Sequence, residues 1–371
     1  MNVTSIPHQF ELKYGENASI LSAIFVLIST IPASYLLMLS YLIQLLFGFS
    51  SIYSLFLVAI ISLFFVYKGG FLTDINLNIF QFILMFAGFI CLLYFAYTKI
   101  GDFDYLISNL PDSHKEINFS NNLQTIIVWI LISFQTFIDP SFHQRTSATK
   151  NYKIAQKGII ISVIFWIIFD FLTLTTGLYS YILVQNNNLS ILPLNSFPIL
   201  ADNILPVIFK GLFFVSLFAT IMSTFESYSL ISAYTLGKDI LHKLNLKFKI
   251  YKIDQIKLIK LSFIINSVFS IILAYFIPSV IDLIYNLSSL VLPSLLLPML
   301  FTFSKKYNFK DNIIKLIFLP FLSSFIIFVD KYFHILNLNI EAMIIGMLTS
   351  VILFGYYIIL YHTNSKKQVA N

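Results

Sequence analysis

The chain has 371 residues, of which 58% are apolar and 11% charged, and its mean hydropathy is +0.85; a soluble domain carries about 25% charged residues and roughly 45–50% apolar ones. So few charges cannot cover a water-facing surface of this size, which excludes a soluble globule, a disordered tail, a fibre and a disulfide scaffold. The single cysteine, Cys91, excludes an internal disulfide and a cysteine-ligated metal site.

What remains is an integral membrane protein. Residues 1–17 are polar, and the apolar run that follows is too long for the h-region of a signal peptide. A membrane-crossing helix needs about 20 apolar residues. Ten stretches qualify, at 19–48, 51–67, 79–98, 121–139, 158–184, 205–235, 258–277, 281–303, 312–329 and 341–362. The first contains Pro32, which removes a backbone donor and favours a kink. The apolar runs do not alternate, and Gly and Pro are scarce for a many-turned barrel. The expected fold is an all-α polytopic membrane bundle of about ten transmembrane helices.

The connecting segments differ in charge. His143 to Lys157 holds Arg145, Lys150, Lys153 and Lys157 with no acid, and 238–260 holds seven lysines against Asp239 and Asp254. Residues 305–315 add Lys305, Lys306, Lys310 and Lys315, and the tail adds Lys366 and Lys367. By contrast 186–200 is uncharged, and 99–116 has four acids to two lysines. With ten helices every basic segment falls on one side, so the positive-inside rule predicts both termini to be cytoplasmic. The net charge of +6 is then a topology signal, not a nucleic-acid footprint.

Enzyme motifs are missing: there is no glycine-rich phosphate loop, H-E-x-x-H, G-x-S-x-G or C-x-x-C, and the six histidines are scattered, mostly near helix ends. The sequence predicts no enzyme and no catalytic residue. Three intramembrane features carry more information. Asp170 and Glu226 interrupt apolar runs, and an ionisable group at mid-bilayer costs about 2.5–3.5 kcal/mol on insertion scales. Each is expected to face the bundle interior or a wet cavity, or to sit nearer an interface; a buried structural carboxyl and a transport role both fit. Thr220, Ser223, Thr224 and Ser227 recur at spacings of three and four on one helical stripe. Small hydroxyls glue membrane helices together, and they are also hard oxygen donors for a small cation. Finally, Gln135, Thr136 and Asp139 precede Pro140 inside an apolar run. This reads either as a plain helix end or as a broken helix of the kind that builds transporter binding sites.

Four segments carry a family resemblance. D-P-S-F-H-Q-R-T-S-A-T-K-N-Y-K-I-A-Q-K-G at 139–158 resembles the Q-R-x-x-A-x-K loop of sodium:solute symporters. G-L-F-F-V-S-L-F-A-T-I-M-S-T at 211–224, continuing to Asp239-Ile240, resembles that family's G-L-x-x-A-x-x-A-A-x-x-S-T segment and its cytoplasmic D-I. Residues 63–82 loosely match its Y-x-x-x-G-G to T-D-x-x-Q region, and 6–14 (I-P-H-Q-F-E-L-K-Y) resemble the loop before its third core helix. The order and spacing agree over most of residues 6–305.

The resemblance implies a LeuT-like fold of two inverted five-helix repeats with a site at the midplane. Within a single transmembrane domain, 1–18 become a cytoplasmic segment, 19–98 a partial first repeat, 121–303 the second repeat and 312–362 two additional helices. The helix at 19–48 corresponds to the third core helix, so the first two are expected to be missing, or supplied as a separate N-terminal segment. The resemblance assigns sodium to the Ser223 and Thr224 hydroxyls with the Thr220 carbonyl, as the coupling ion. Upstream of the Q-R, Ile132-Ser133-Phe134-Gln135-Thr136 lacks the asparagine and aromatics of hexose carriers, which disfavours a hexose; Gln135, Thr136, Asp139 and Asn286 are the solute-binding candidates. Glu226 stands where the family usually has a small residue. The expected function is sodium-coupled symport of a small polar organic solute across the lipid bilayer. The alternative is a non-transporting module that keeps the symporter fold.

Overall fold

The computed structural model describes residues 3–69, 71–115, 123–187, 193–248, 254–334 and 338–370, with side chains at all of these except 62–69, 71, 113, 247–248 and 364–370. Lys249 and Lys252 of the basic stretch, Glu116 and Gly70 lie outside the described residues. Every regular element among them is helical. In chain order the first are α1 (Ile6–Tyr14), α2 (Glu16–Thr30), α3 (Ala33–Phe47), α4 (Ser51–Gly69) and α5 (Phe71–Lys99). The short α6 (Phe103–Asn109) and α7 (Asp112–Lys115) precede α8 (Leu123–Ser133), a 3-10 turn (Phe134–Ile138) and α9 (Pro140–Ser147). Next come α10 (Tyr152–Asn186), α11 (Ser196–Ile204), α12 (Val207–Tyr234), a π-helical segment (Thr235–His242) and α13 (Lys243–Phe248). Last are α14 (Gln255–Phe276), α15 (Val280–Thr302), α16 (Ile313–Phe333) and α17 (Ala342–Ala370).

Nine stretches among the described residues are long and apolar enough to cross a membrane, and Ser51–Ile61 of α4 forms a shorter apolar helix. They follow the ten expected stretches. Pro32 does more than kink the first: α2 ends at Thr30 and α3 starts at Ala33, because proline at this point leaves no N–H to continue the ladder. The third stretch begins earlier than expected, at Phe71, which puts Asp74 in its first turn, where a carboxylate complements the helix dipole.

The chain divides into two compact units, one of Met1–Ser34, Phe119–Thr149 and Tyr228–Asn371, the other of Tyr35–Asn118 and Lys150–Ser227. In the first, Phe10, Phe25, Val128, Leu295, Leu316 and Met343 belong to one buried cluster that joins α1, α2, α8 and α15 to α17. Ser5 caps α1 by accepting the His8 N–H, with Pro7 in the first turn. Tyr14 closes the same helix, and its phenol donates to the Pro298 carbonyl at 3.0 Å. In the second unit, Phe89, Leu92, Tyr179, Leu200 and Phe213 form the core of α5, α10, α11 and α12. Phe82, Phe86 and Phe89 of α5 meet Phe165 and Phe169 of α10 ring to ring.

Of the readings open for Asp170, a buried interior carboxyl is not what the described residues show: it lies exposed near the midpoint of the α10 apolar run. The helix packs through Phe165 and Phe169, and a residue one position further on is turned about 100° away from Phe169.

Candidate cation and solute sites

The hydroxyl stripe lies on α12, as its spacing predicts. The Thr220 hydroxyl donates to the Ser216 carbonyl at 2.8 Å, and Ser223 Oγ donates to the Thr220 carbonyl at 3.0 Å. Two of the three oxygens expected to hold sodium are therefore side by side. The Ser223 hydroxyl uses only its proton here and keeps its lone pairs for a cation, while the Thr220 carbonyl already accepts that proton. Ser223 and Thr224 are half-buried, and the Thr224 hydroxyl makes no hydrogen bond among the described residues.

One turn further on, the stripe enters a polar network that sequence reasoning did not assemble. Ser227 Oγ donates to Asp74 Oδ1 at 2.8 Å and lies 3.3 Å from Asn78 Nδ2, while Gln81 Nε2 lies 3.4 Å from Glu226 Oε2. Asp74, Gln81, Glu226 and Ser227 are all buried. Glu226 is thus an interior carboxyl, held by the Gln81 amide rather than by a lysine or arginine among the described residues. The signal was present: Asp74, Asn78 and Gln81 sit at spacings of four and three, which place them on one face of α5.

The solute candidates lie in the other unit, around the break that Pro140 announces. The helical run that starts as α8 tightens into the 3-10 turn at Phe134–Ile138, opens at Asp139 and restarts at Pro140. Gln135 sits in that turn and accepts the Ser288 hydroxyl of α15 at 2.6 Å. Thr136 is exposed. Asn286 donates to Tyr332 of α16 at 2.9 Å. Asp139 has structural work: Oδ1 accepts the Ser141 and Phe142 N–H groups at the start of α9, and Oδ2 accepts the Tyr228 hydroxyl at 2.6 Å. Gln135 thus reaches α15 at Ser288, whereas Asn286, two residues earlier and about 200° round the same helix, turns to α16; Asp139 is committed to its own backbone and to Tyr228.

Among the described residues, nine helices are long and apolar enough to cross a membrane, and one of them is broken beside polar side chains, as in a multi-pass membrane protein. The sequence profile of the sodium:solute symporter family matches residues 1–317, and the chain belongs to that family. It is a transporter rather than an enzyme. A solved structure described as a Na+-coupled sialic acid symporter, substrate-bound and outward-open with a novel Na+ site, matches with a TM-score of 0.73 at 17% identity. The match covers 94% of this chain and 76% of that one, and shows that the fold is LeuT-like. No curated protein matches the chain in sequence.

Proposed function

We propose that the chain couples the movement of sodium to that of a small polar organic solute across the bacterial inner membrane, with both termini cytoplasmic. The observation that carries this reading is the α12 ridge. Ser223 Oγ stands 3.0 Å from the Thr220 carbonyl, with Thr224 beside it, in a member of a sodium symporter family. Gln135, Thr136 and Asn286 are neutral hydrogen-bonding groups suited to an uncharged or zwitterionic solute, and Asp139 is the positioning residue that fixes the helix break beside them. Sodium binding to the purified full chain tests the cation half directly. The expected result is a saturable heat of binding that disappears in the combined Ser223→Ala, Thr224→Ala variant. Uptake of a solute panel into proteoliposomes, with and without a sodium gradient, tests the transport half.

One observation favours the second reading, a non-transporting module. Gln135, Asp139 and Asn286 all have internal partners already. Sodium binding without gradient-driven uptake of any solute in the panel is the result that reading expects.

A further inference from the structure

Asn266 is a buried amide without a protein partner. It stands at the midpoint of α14 and is 3% exposed, and neither its Oδ1 nor its Nδ2 makes a hydrogen bond among the described residues. An amide offers two donors and an acceptor with two lone pairs, so its whole bonding capacity is unmet. Away from bulk water an unpaired amide is costly, and lipid tails offer it nothing.

Two hydroxyls share its stripe. Ser262 and Ser270 lie one turn to either side of Asn266 on α14 and are 0% and 1% exposed. Each donates along its own helix, Ser262 to the Leu258 carbonyl and Ser270 to the Asn266 carbonyl, both at 2.8 Å. Their protons are therefore used, and their oxygen lone pairs are what they present to the stripe. The other side of α14 is apolar: Leu261, Ile264, Val268 and Ile272 are between 44% and 50% exposed. The helix keeps its polar stripe inside and its apolar side outside.

We propose that this stripe binds water, one molecule between Ser262 and Asn266 and a second between Asn266 and Ser270. Chemistry selects the ligand. The serines present acceptors only, while the amide presents an acceptor and two donors, so the occupant has to donate to some of these groups and accept from others. A cation would suit the oxygens and oppose the Nδ2 hydrogens; an anion would do the reverse. Water does both, and a buried water typically makes about three such bonds. The spacing agrees: one helical turn advances about 5.4 Å, and two hydrogen bonds of about 2.8 Å span the same length. In a transporter whose helices shift against one another, bound water keeps the amide paired without a protein group having to follow it.

Water-edited solid-state NMR on the full chain in liposomes, isotope-labelled at asparagine, tests this. The Asn266 side-chain peak is assigned by its loss in Asn266→Leu. It is expected to draw magnetisation from water as quickly as exposed asparagines such as Asn203 do. Combined Ser262→Ala and Ser270→Ala should slow that transfer severalfold while the peak remains. Transfer in the wild-type chain as slow as that of lipid-facing residues would overturn the proposal, as would a direct contact of Nδ2 with a protein acceptor or indifference to the loss of both serines. Thermal melting checks that the double variant is folded; if it is not, the wild-type transfer rate decides alone. Neither sodium nor solute takes part, so failure here leaves the transport reading standing.

Discussion

Asp139 makes three hydrogen bonds with two oxygens, and that satisfaction decides what its removal does. Asp139→Ala deletes a helix cap and orphans the Tyr228 hydroxyl, so it should cost about 1–2 kcal/mol of stability. Tyr228→Phe should cost less, near 1 kcal/mol, and a double-mutant cycle followed by thermal melting should show the two losses to be non-additive. If Asp139 instead bound solute without structural work, melting would be unchanged and only uptake would suffer. Tyr14 gives a pH signature outside the spans. Burial pushes its phenol above the ordinary value of 10.0. The unfolded chain therefore loses this proton first, so stability is fully present below pH 10 and declines as pH rises through the alkaline range. Tyr14→Phe should remove that part of the alkaline decline, measured as melting temperature against pH.

At the scale of elements, the helix crossings depend on a few glycines. An added Cβ at Gly237, in the π segment, would fall 2.5 Å from Ile259 Cα and 2.7 Å from its N, both backbone atoms of α14 that cannot step aside. Gly237→Ala should cost about 1–3 kcal/mol through overpacking, while Gly211→Ala, where nothing lies within 4 Å, should be neutral or slightly stabilising. Thermal melts of the two variants separate these outcomes. The helices themselves were legible because their apolar runs are long and the breakers, Pro32 and Pro140, sit where the ladder stops. The π segment was not legible: Thr235–His242 reads as ordinary helix, and its extra residue per turn is set by tertiary packing against α14 rather than by local propensity.

For the whole molecule, the basic segments predict a single cytoplasmic side. Lys306→Cys, Lys150→Cys and a cysteine added at the C-terminus, each in a Cys91→Ser background, should resist an impermeant thiol reagent in intact cells and react in inverted vesicles. Labelling of any of them from outside would break the assigned orientation. The site was half legible. Thr220, Ser223 and Thr224 came from spacing and resemblance together, and their placement on one ridge follows from helical periodicity. The face on which Asp170 stands was not legible, because sequence tells that a carboxyl interrupts an apolar run but not which face its neighbours occupy; the ring contacts of Phe165 and Phe169 settle that. The Asp74–Ser227 bond joins residues 153 apart in sequence, beyond the reach of any local pattern.

The π segment also bears on how this chain tolerates changes in length. Eight residues wound with i→i+5 bonds accommodate about one residue more than an α-helix of the same rise. Removing one residue from 235–242 should let the segment rewind as α and return α13 to nearly the same phase. The same deletion in the body of α12 would rotate everything after it by about 100°. This stretch is therefore where a single-codon deletion should do least harm, and a deletion scan along 210–245, read by folded yield, should show its one tolerant window there.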